Sequence, residues 1–129
     1  MNGFARRLLG EWRRRGWAVR GEGALLAVSG GADSLALMLG VEELSKAGLL
    51  GVEATVAHLD HGLRGERGVE DARWVEGRAG ELGFRVVRGR ASVGGRDNLE
   101  QAARRARYEF LAGAAREAGA ASVLVAHTL

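Results

Sequence analysis

Ala24-Leu25-Leu26-Ala27-Val28-Ser29-Gly30-Gly31-Ala32-Asp33-Ser34-Leu35-Ala36-Leu37-Met38-Leu39 is the stretch that decides how this chain folds. Its first five residues are small or branched and apolar, the pattern of a strand buried on both faces. Ser29-Gly30-Gly31 interrupts the run, and a second apolar segment of helical composition opens at once. Strand, tight turn and helix therefore follow one another without a linker. The two glycines let the backbone bend sharply and bring a ligand close to the main chain. N–H groups at the helix start, reinforced by the positive end of the helix dipole, favour an anion there, most naturally a phosphate.

Two common phosphate loops do not fit. The dinucleotide fingerprint needs Gly-x-Gly-x-x-Gly after the strand, whereas Gly21-Glu22-Gly23 precedes it. The Walker loop needs a lysine closing the turn, and the chain's only lysine, Lys46, sits at the far end of the following helix. What remains is Ser29-Gly30-Gly31-Ala32-Asp33-Ser34. Ser29 and Ser34 offer hydroxyls, and Gly30 and Gly31 offer N–H groups with no side chain in the way. A carboxylate beside polyphosphate is repelled, so Asp33 either caps the helix or holds a magnesium ion or its waters. Both roles stay open on chemistry alone. The hexapeptide resembles the Ser-Gly-Gly-x-Asp-Ser loop of the PP-loop (N-type) ATP pyrophosphatases, which cleave ATP to AMP and pyrophosphate while activating a substrate oxygen. The resemblance implies that residues 29–34 bind ATP and that Mg2+ accompanies it, with Asp33 as its ligand.

Composition sets wider bounds. With 129 residues, 47% of them hydrophobic and 27% charged, the chain reads as one soluble domain with a real core. It has no cysteine, which excludes disulfides, thiolate zinc sites and iron–sulfur clusters within this segment. No apolar run reaches membrane-spanning length and the first residues lack a signal-peptide block, so a cytoplasmic protein without a membrane partner is expected. The formal charge is +3 and almost all the cations are arginine. That suits a nucleic-acid partner, and it equally suits a genome biased towards Ala, Gly and Arg.

Helical spacing organises residues 3–16, with Phe4, Leu8, Leu9 and Trp12 on one side and Arg6, Arg7, Arg13, Arg14 and Arg15 elsewhere. Those arginines read either as a solvated face or as a surface for RNA phosphates. The helix from about Asp33 to Ala47 is apolar nearly all round, which places it under other elements, and Gly48 closes it. Val52–Leu59 is a second strand, parallel to the first. Residues 69–82 form a helix with Ala72, Val75, Ala79 and Leu82 buried; Gly83 ends it before a short strand, Phe84–Val87.

The second strand runs into His58-Leu59-Asp60-His61-Gly62-Leu63-Arg64. Ligands of parallel sheets sit beyond the carboxyl ends of the strands, which puts His58 and Asp60 with the ATP-binding residues. Asp60 suits a ribose hydroxyl or the metal, and Arg64 a phosphate. Two histidines around one acid lack a convincing third ligand, so His58 and His61 read as hydrogen-bonding residues rather than a transition-metal site. Further on, Asn98-Leu99-Glu100-Gln101-Ala102-Ala103-Arg104-Arg105-Ala106-Arg107-Tyr108 opens an alanine-rich helix behind a capping pair, Asn98 with Gln101 or Asp97 with Glu100. Arg104, Arg107, Tyr108 and Leu111 share one helical face, and an arginine pair beside an aromatic suits phosphates or the nucleotide being activated. Arg105 points to water. Gly119 closes this helix, and Ser122–Ala126 reads as a fourth, buried, central strand.

Both segments resemble motifs of the tRNA(Ile)-lysidine synthetases, His-x-Asp-His-Gly-Leu-Arg and Asn-Leu-Glu-x-x-Ala-Arg-x-x-Arg-Tyr. The resemblance spans essentially the whole chain and implies a PP-loop, Rossmann-like domain that adenylates the wobble cytidine of isoleucine tRNA and couples free lysine to it. It places Asp33, Arg104 and Arg107 in catalysis and names as partners the anticodon region of the tRNA and lysine. It further implies that residues 1–129 are the front of a catalytic domain that stops after the fourth strand, short of an Asp-Asp-rich loop and the tRNA-binding domains, and inactive alone. The expected fold is α/β, a doubly wound, mostly parallel sheet flanked by helices. Two other functions share the loop: a small-molecule PP-loop ligase of the GMP, NAD or argininosuccinate synthetase kind, and a non-catalytic module that binds adenine nucleotides.

Overall fold

The computed structural model describes residues 3–29, 32–60, 66–90 and 99–125. Helices and strands alternate: α1 (Gly3–Arg15), β1 (Gly23–Ala27), α2 (Ala32–Lys46), β2 (Glu53–Asp60), α3 (Glu66–Glu81), β3 (Arg85–Arg90), α4 (Leu99–Ala118) and β4 (Ala120–Val125). The four strands form one sheet in the order β3-β2-β1-β4. Every pairing is parallel, with Leu25 opposite Thr55 and Val123, and Val56 opposite Val86.

The sheet is covered on both faces because alternate residues of β1 point opposite ways. Ala24, Leu26 and Val28 join a cluster with Leu8 and Trp12 of α1, Met38, Val41 and Leu44 of α2, and Val75 and Ala79 of α3. Leu25 and Ala57 instead face Leu111 and Ala114 of α4. Leu25 and Leu26 are fully buried, as the unbroken apolar run requires, and each contributes roughly 2 to 3 kcal/mol of burial. The helix expected to lie under other elements does so: Phe4 and Leu8 of α1 lie over Gly40 of α2. Gly48 and Gly83 close α2 and α3 with φ of 75° and 86°, a conformation that a side chain resists.

Some expectations need correcting. β4 is an edge strand of the described sheet, not a buried central one; Val123 is 43% exposed and only Leu124 is buried. β3 continues past Val87 to Arg90, since the ladder with β2 runs on to the Asp60–Arg90 pair whatever the side chains are. α3 starts at Glu66, three residues before the apolar spacing becomes visible. The proposed capping pairs of α4, with Asp97 or Asn98, lie outside the described residues.

Phe110 of α4 rests on Gly89 of β3, where a Cβ would stand 2.5 Å from the ring edge. Gly89→Ala is expected to destabilise the domain by about 1 to 3 kcal/mol. Combined with Phe110→Leu the losses should add to less than their sum, measured by denaturant unfolding; additive losses would clear Phe110 as the obstacle.

Candidate functional site

The strand order reverses direction at β1. α2 leaves it on one face of the sheet towards β2, whereas α4 arrives from the other face to begin β4 on its opposite side. The carboxyl ends of β1 and β4 are therefore the switch point of the sheet, the place where open α/β sheets take their ligands. Val28 and Ser29 leave β1 at that end, and the first turn of α2 follows them.

Hydrogen bonds fix how the chain leaves β1. The Val28 N–H donates to the Ala57 carbonyl at 2.9 Å, extending the ladder by one residue. The Val28 carbonyl is 2.7 Å from Nδ1 of His58, a side chain only 5% exposed. A carbonyl oxygen can only accept, so Nδ1 carries the proton of this bond. His58 is thus the hydrogen-bonding histidine the sequence suggests, and its described partner is the main chain entering the loop.

Ser34 reaches back across the turn. Its Oγ accepts the Ser29 N–H at 2.9 Å and lies 3.1 Å from the Ser29 Oγ. Ser34 is 3% exposed, so its hydroxyl braces the turn from inside, while Ser29 is exposed. The Ser29 amide is consequently engaged. Ala32 and Asp33 are exposed at the start of α2, where the first N–H groups of any helix have no partner within it. Gly30 and Gly31 lie outside the described residues.

Two carboxylates belong to this end of the sheet. Asp33 is exposed in the first turn of α2, and Asp60, half-buried, ends β2 on the same side of the strand as His58. Among the described residues no group of three or more His, Cys, Asp and Glu side chains converges as a metal cage. One or two carboxylates completed by phosphate oxygens and waters is instead the way a magnesium ion is usually held, and hard oxygen donors are what these two residues supply. The donor set fits that ion.

α4 runs antiparallel to the strands, because only Gly119 separates its end from β4, so its first turns overhang the carboxyl end of the sheet. The stripe that is buried at Leu111 and Ala114 is accordingly exposed at Arg104, Arg107 and Tyr108. The Arg104 guanidinium lies over the Tyr108 ring, 5.5 Å from its centroid. Tyr108 remains 60% exposed, leaving an aromatic and two cations presented to solvent. Val28, Ser29, Ser34 and His58 are thus joined directly, whereas Arg104 and Arg107 stand apart on α4 and are not hydrogen-bonded to the turn among the described residues. His61, Leu63 and Arg64 lie outside the described residues, as do Arg96 and residues 126–129. The part played by the Val28 carbonyl was not visible in the sequence, since it depends on strand register.

The sequence matches the ATP-binding family described as the PP-loop domain over residues 6–129, and the chain belongs to that family. Among its relatives are three proteins named tRNA(Ile)-lysidine synthase. One from Thermus thermophilus is 48% identical over 110 residues, covering 81% of this chain and 20% of that protein. One from a Methylobacterium species is 46% identical over 127 residues, 97% of this chain and 35% of that protein. One from Dehalococcoides mccartyi is 39% identical over 122 residues, 91% of this chain and 26% of that protein. The chain therefore spans 20 to 35% of the length of these relatives. In fold it is similar to the U34-tRNA thiolase NcsA from Methanococcus maripaludis, solved with its [4Fe-4S] cluster, at a TM-score of 0.72 and 15% identity over 97% of this chain and 45% of that one. That likeness concerns the fold alone, and this chain contains no cysteine.

Proposed function

We propose that the chain is the ATP-binding front of a ligase that converts the wobble cytidine of isoleucine tRNA with a CAU anticodon to lysidine, using ATP and free lysine in the cytoplasm. The observation that carries this is the 39–48% identity to tRNA(Ile)-lysidine synthases across most of the chain, together with a PP-loop sequence at the switch point of the sheet. Residues 1–129 form the front of the catalytic domain, and further tRNA-binding domains belong to the rest of the protein. Among the described residues no helix is long and apolar enough to cross a membrane, which accords with a tRNA substrate.

In this mechanism the cytidine carbonyl oxygen attacks the α-phosphorus of ATP and pyrophosphate leaves. The free amine of lysine then attacks the activated ring carbon, and AMP departs with the oxygen. Backbone N–H groups of residues 30–33 hold the phosphates, Ser29 offers its exposed hydroxyl, and Ser34 keeps the turn in shape. Arg104 and Arg107 offset phosphate charge or seat the incoming nucleotide. Asp33, with Asp60, would hold Mg2+, which when bound neutralises phosphate charge. No side chain acts as a nucleophile; positioning and charge neutralisation supply the rate.

Pyrophosphate release by the full-length protein tests this, measured with and without unmodified isoleucine tRNA. Release that requires the tRNA, followed by lysine incorporation, is the expected result. Release with a small-molecule acceptor and no tRNA would instead make the protein a small-molecule ligase. ATP binding without turnover under either condition would make it a nucleotide sensor.

A further inference from the structure

The positive charge of this chain is not spread along it. Residues 1–20 hold six of the nineteen cations and one of the sixteen acids, a balance of +5, so the other 109 residues together carry −2. A uniform bias towards arginine does not produce that segregation.

α1 collects most of this charge on one side. Ala5, Leu8, Leu9 and Trp12 are its buried residues. At about 100° per residue the opposite arc consists of Arg6, Arg7, Gly10, Arg13 and Arg14, all exposed. Beyond its chain neighbours and the helix's own backbone, nothing among the described residues lies within 4 Å of where a Cβ on Gly10 would stand, so the middle of the arc is open down to the backbone. The one acid of α1, Glu11, lies at the flank of the arc and is committed to Arg14 and Arg15, each 2.8 Å away. Hydrogen bonds first from Arg14 and then from Arg15 hold its carboxyl below the usual range. Arg15 also lies over the Trp17 ring. Arg6, Arg7 and Arg13 enter no ion pair among the described residues.

We infer that this arc of α1 is a docking surface for the sugar–phosphate backbone of the tRNA, separate from the site that takes ATP and the reacting cytidine. The inference rests on the proposed tRNA substrate. Guanidinium forks match phosphate oxygens in pairs. Contacts of this kind fix where a nucleic acid lies without reading its sequence. An anionic membrane is the other partner such charge could attract, but the apolar residues of α1 are turned into the core and leave no anchor for a bilayer.

The test compares the full-length protein with R6Q/R7Q/R13Q and R6K/R7K/R13K, measuring affinity for an isoleucine tRNA transcript between 50 and 200 mM salt. Every phosphate no longer neutralised lowers the log–log salt slope by about 0.7 to 0.9, so three should lower it by about 2 in the glutamine variant. Affinity at low salt should fall about tenfold or more, with ATP binding unchanged. The lysine variant should keep most of the slope. An unchanged slope and affinity in the glutamine variant, beside a wild type that releases pyrophosphate in a tRNA-dependent manner, would overturn this inference alone. So would loss of binding to phosphatidylserine vesicles with tRNA affinity intact. A wild type that binds no tRNA would overturn both this inference and the proposed function.

Discussion

Replacing Asp33 by asparagine is expected to lower tRNA-dependent pyrophosphate release at least about a hundredfold while shifting the melting temperature by no more than about 4 °C. The two readouts separate the two roles open to this side chain. As a charge at the start of α2, Asp33 is worth roughly 0.3 to 1 kcal/mol at an exposed site. Asparagine is as good a residue near a helix start, so even that is only partly lost. As an oxygen donor to magnesium beside ATP, its charge is what matters, and asparagine lacks it. A hundredfold loss corresponds to about 2.7 kcal/mol of barrier, more than the helix role can supply. The variant should also need more magnesium for half-maximal turnover. Near-normal turnover with a slightly lowered melting temperature would leave Asp33 as a helix residue and nothing more.

The contrast between Asp33 and Ser34 shows where sequence pattern stops being informative. The apolar run of β1 and the helix behind it are local features, and both are present as expected. The buried stripe of α3 is equally legible, since Ala72, Val75 and Ala79 recur at helical spacing and all three are buried. Ser34 reads as a second phosphate hydroxyl because nothing in the string says which way a first-turn side chain points. Folding turns it inward onto the Ser29 amide. Along α4 one stripe passes from core at Leu111 to solvent at Arg104, since the sheet beneath it ends. Pattern gives the period of a helix, whereas the extent of its partner comes only from the assembled sheet.

His58 supplies the second large effect, and three substitutions distinguish what its ring does. The Nδ1–H of His58 donates to the Val28 carbonyl at 2.7 Å, one residue before Ser29. Asparagine places an amide N–H near the Nδ1 position, glutamine places one nearer Nε2, and leucine offers none. If the histidine acts by holding the exit from β1, His58→Asn should keep the KM for ATP within about threefold. His58→Leu and His58→Gln should raise it about tenfold or more, because a buried carbonyl left without a donor costs roughly 1 to 3 kcal/mol and is free to shift the turn behind it. The loss should fall on ATP binding more than on turnover at saturating ATP, since residues 29–34 would still be complete but less well placed. The opposite ranking, with glutamine tolerated and asparagine not, would mean that Nε2 meets the nucleotide itself. His58 would then be a contact residue, and the carbonyl bond would serve only to aim it. As the bond stands, the ring is spent on the main chain. The geometry of the ATP turn therefore begins one strand away, at the register that sets Ala57 beside Ala27 and brings the next residue, His58, under Val28.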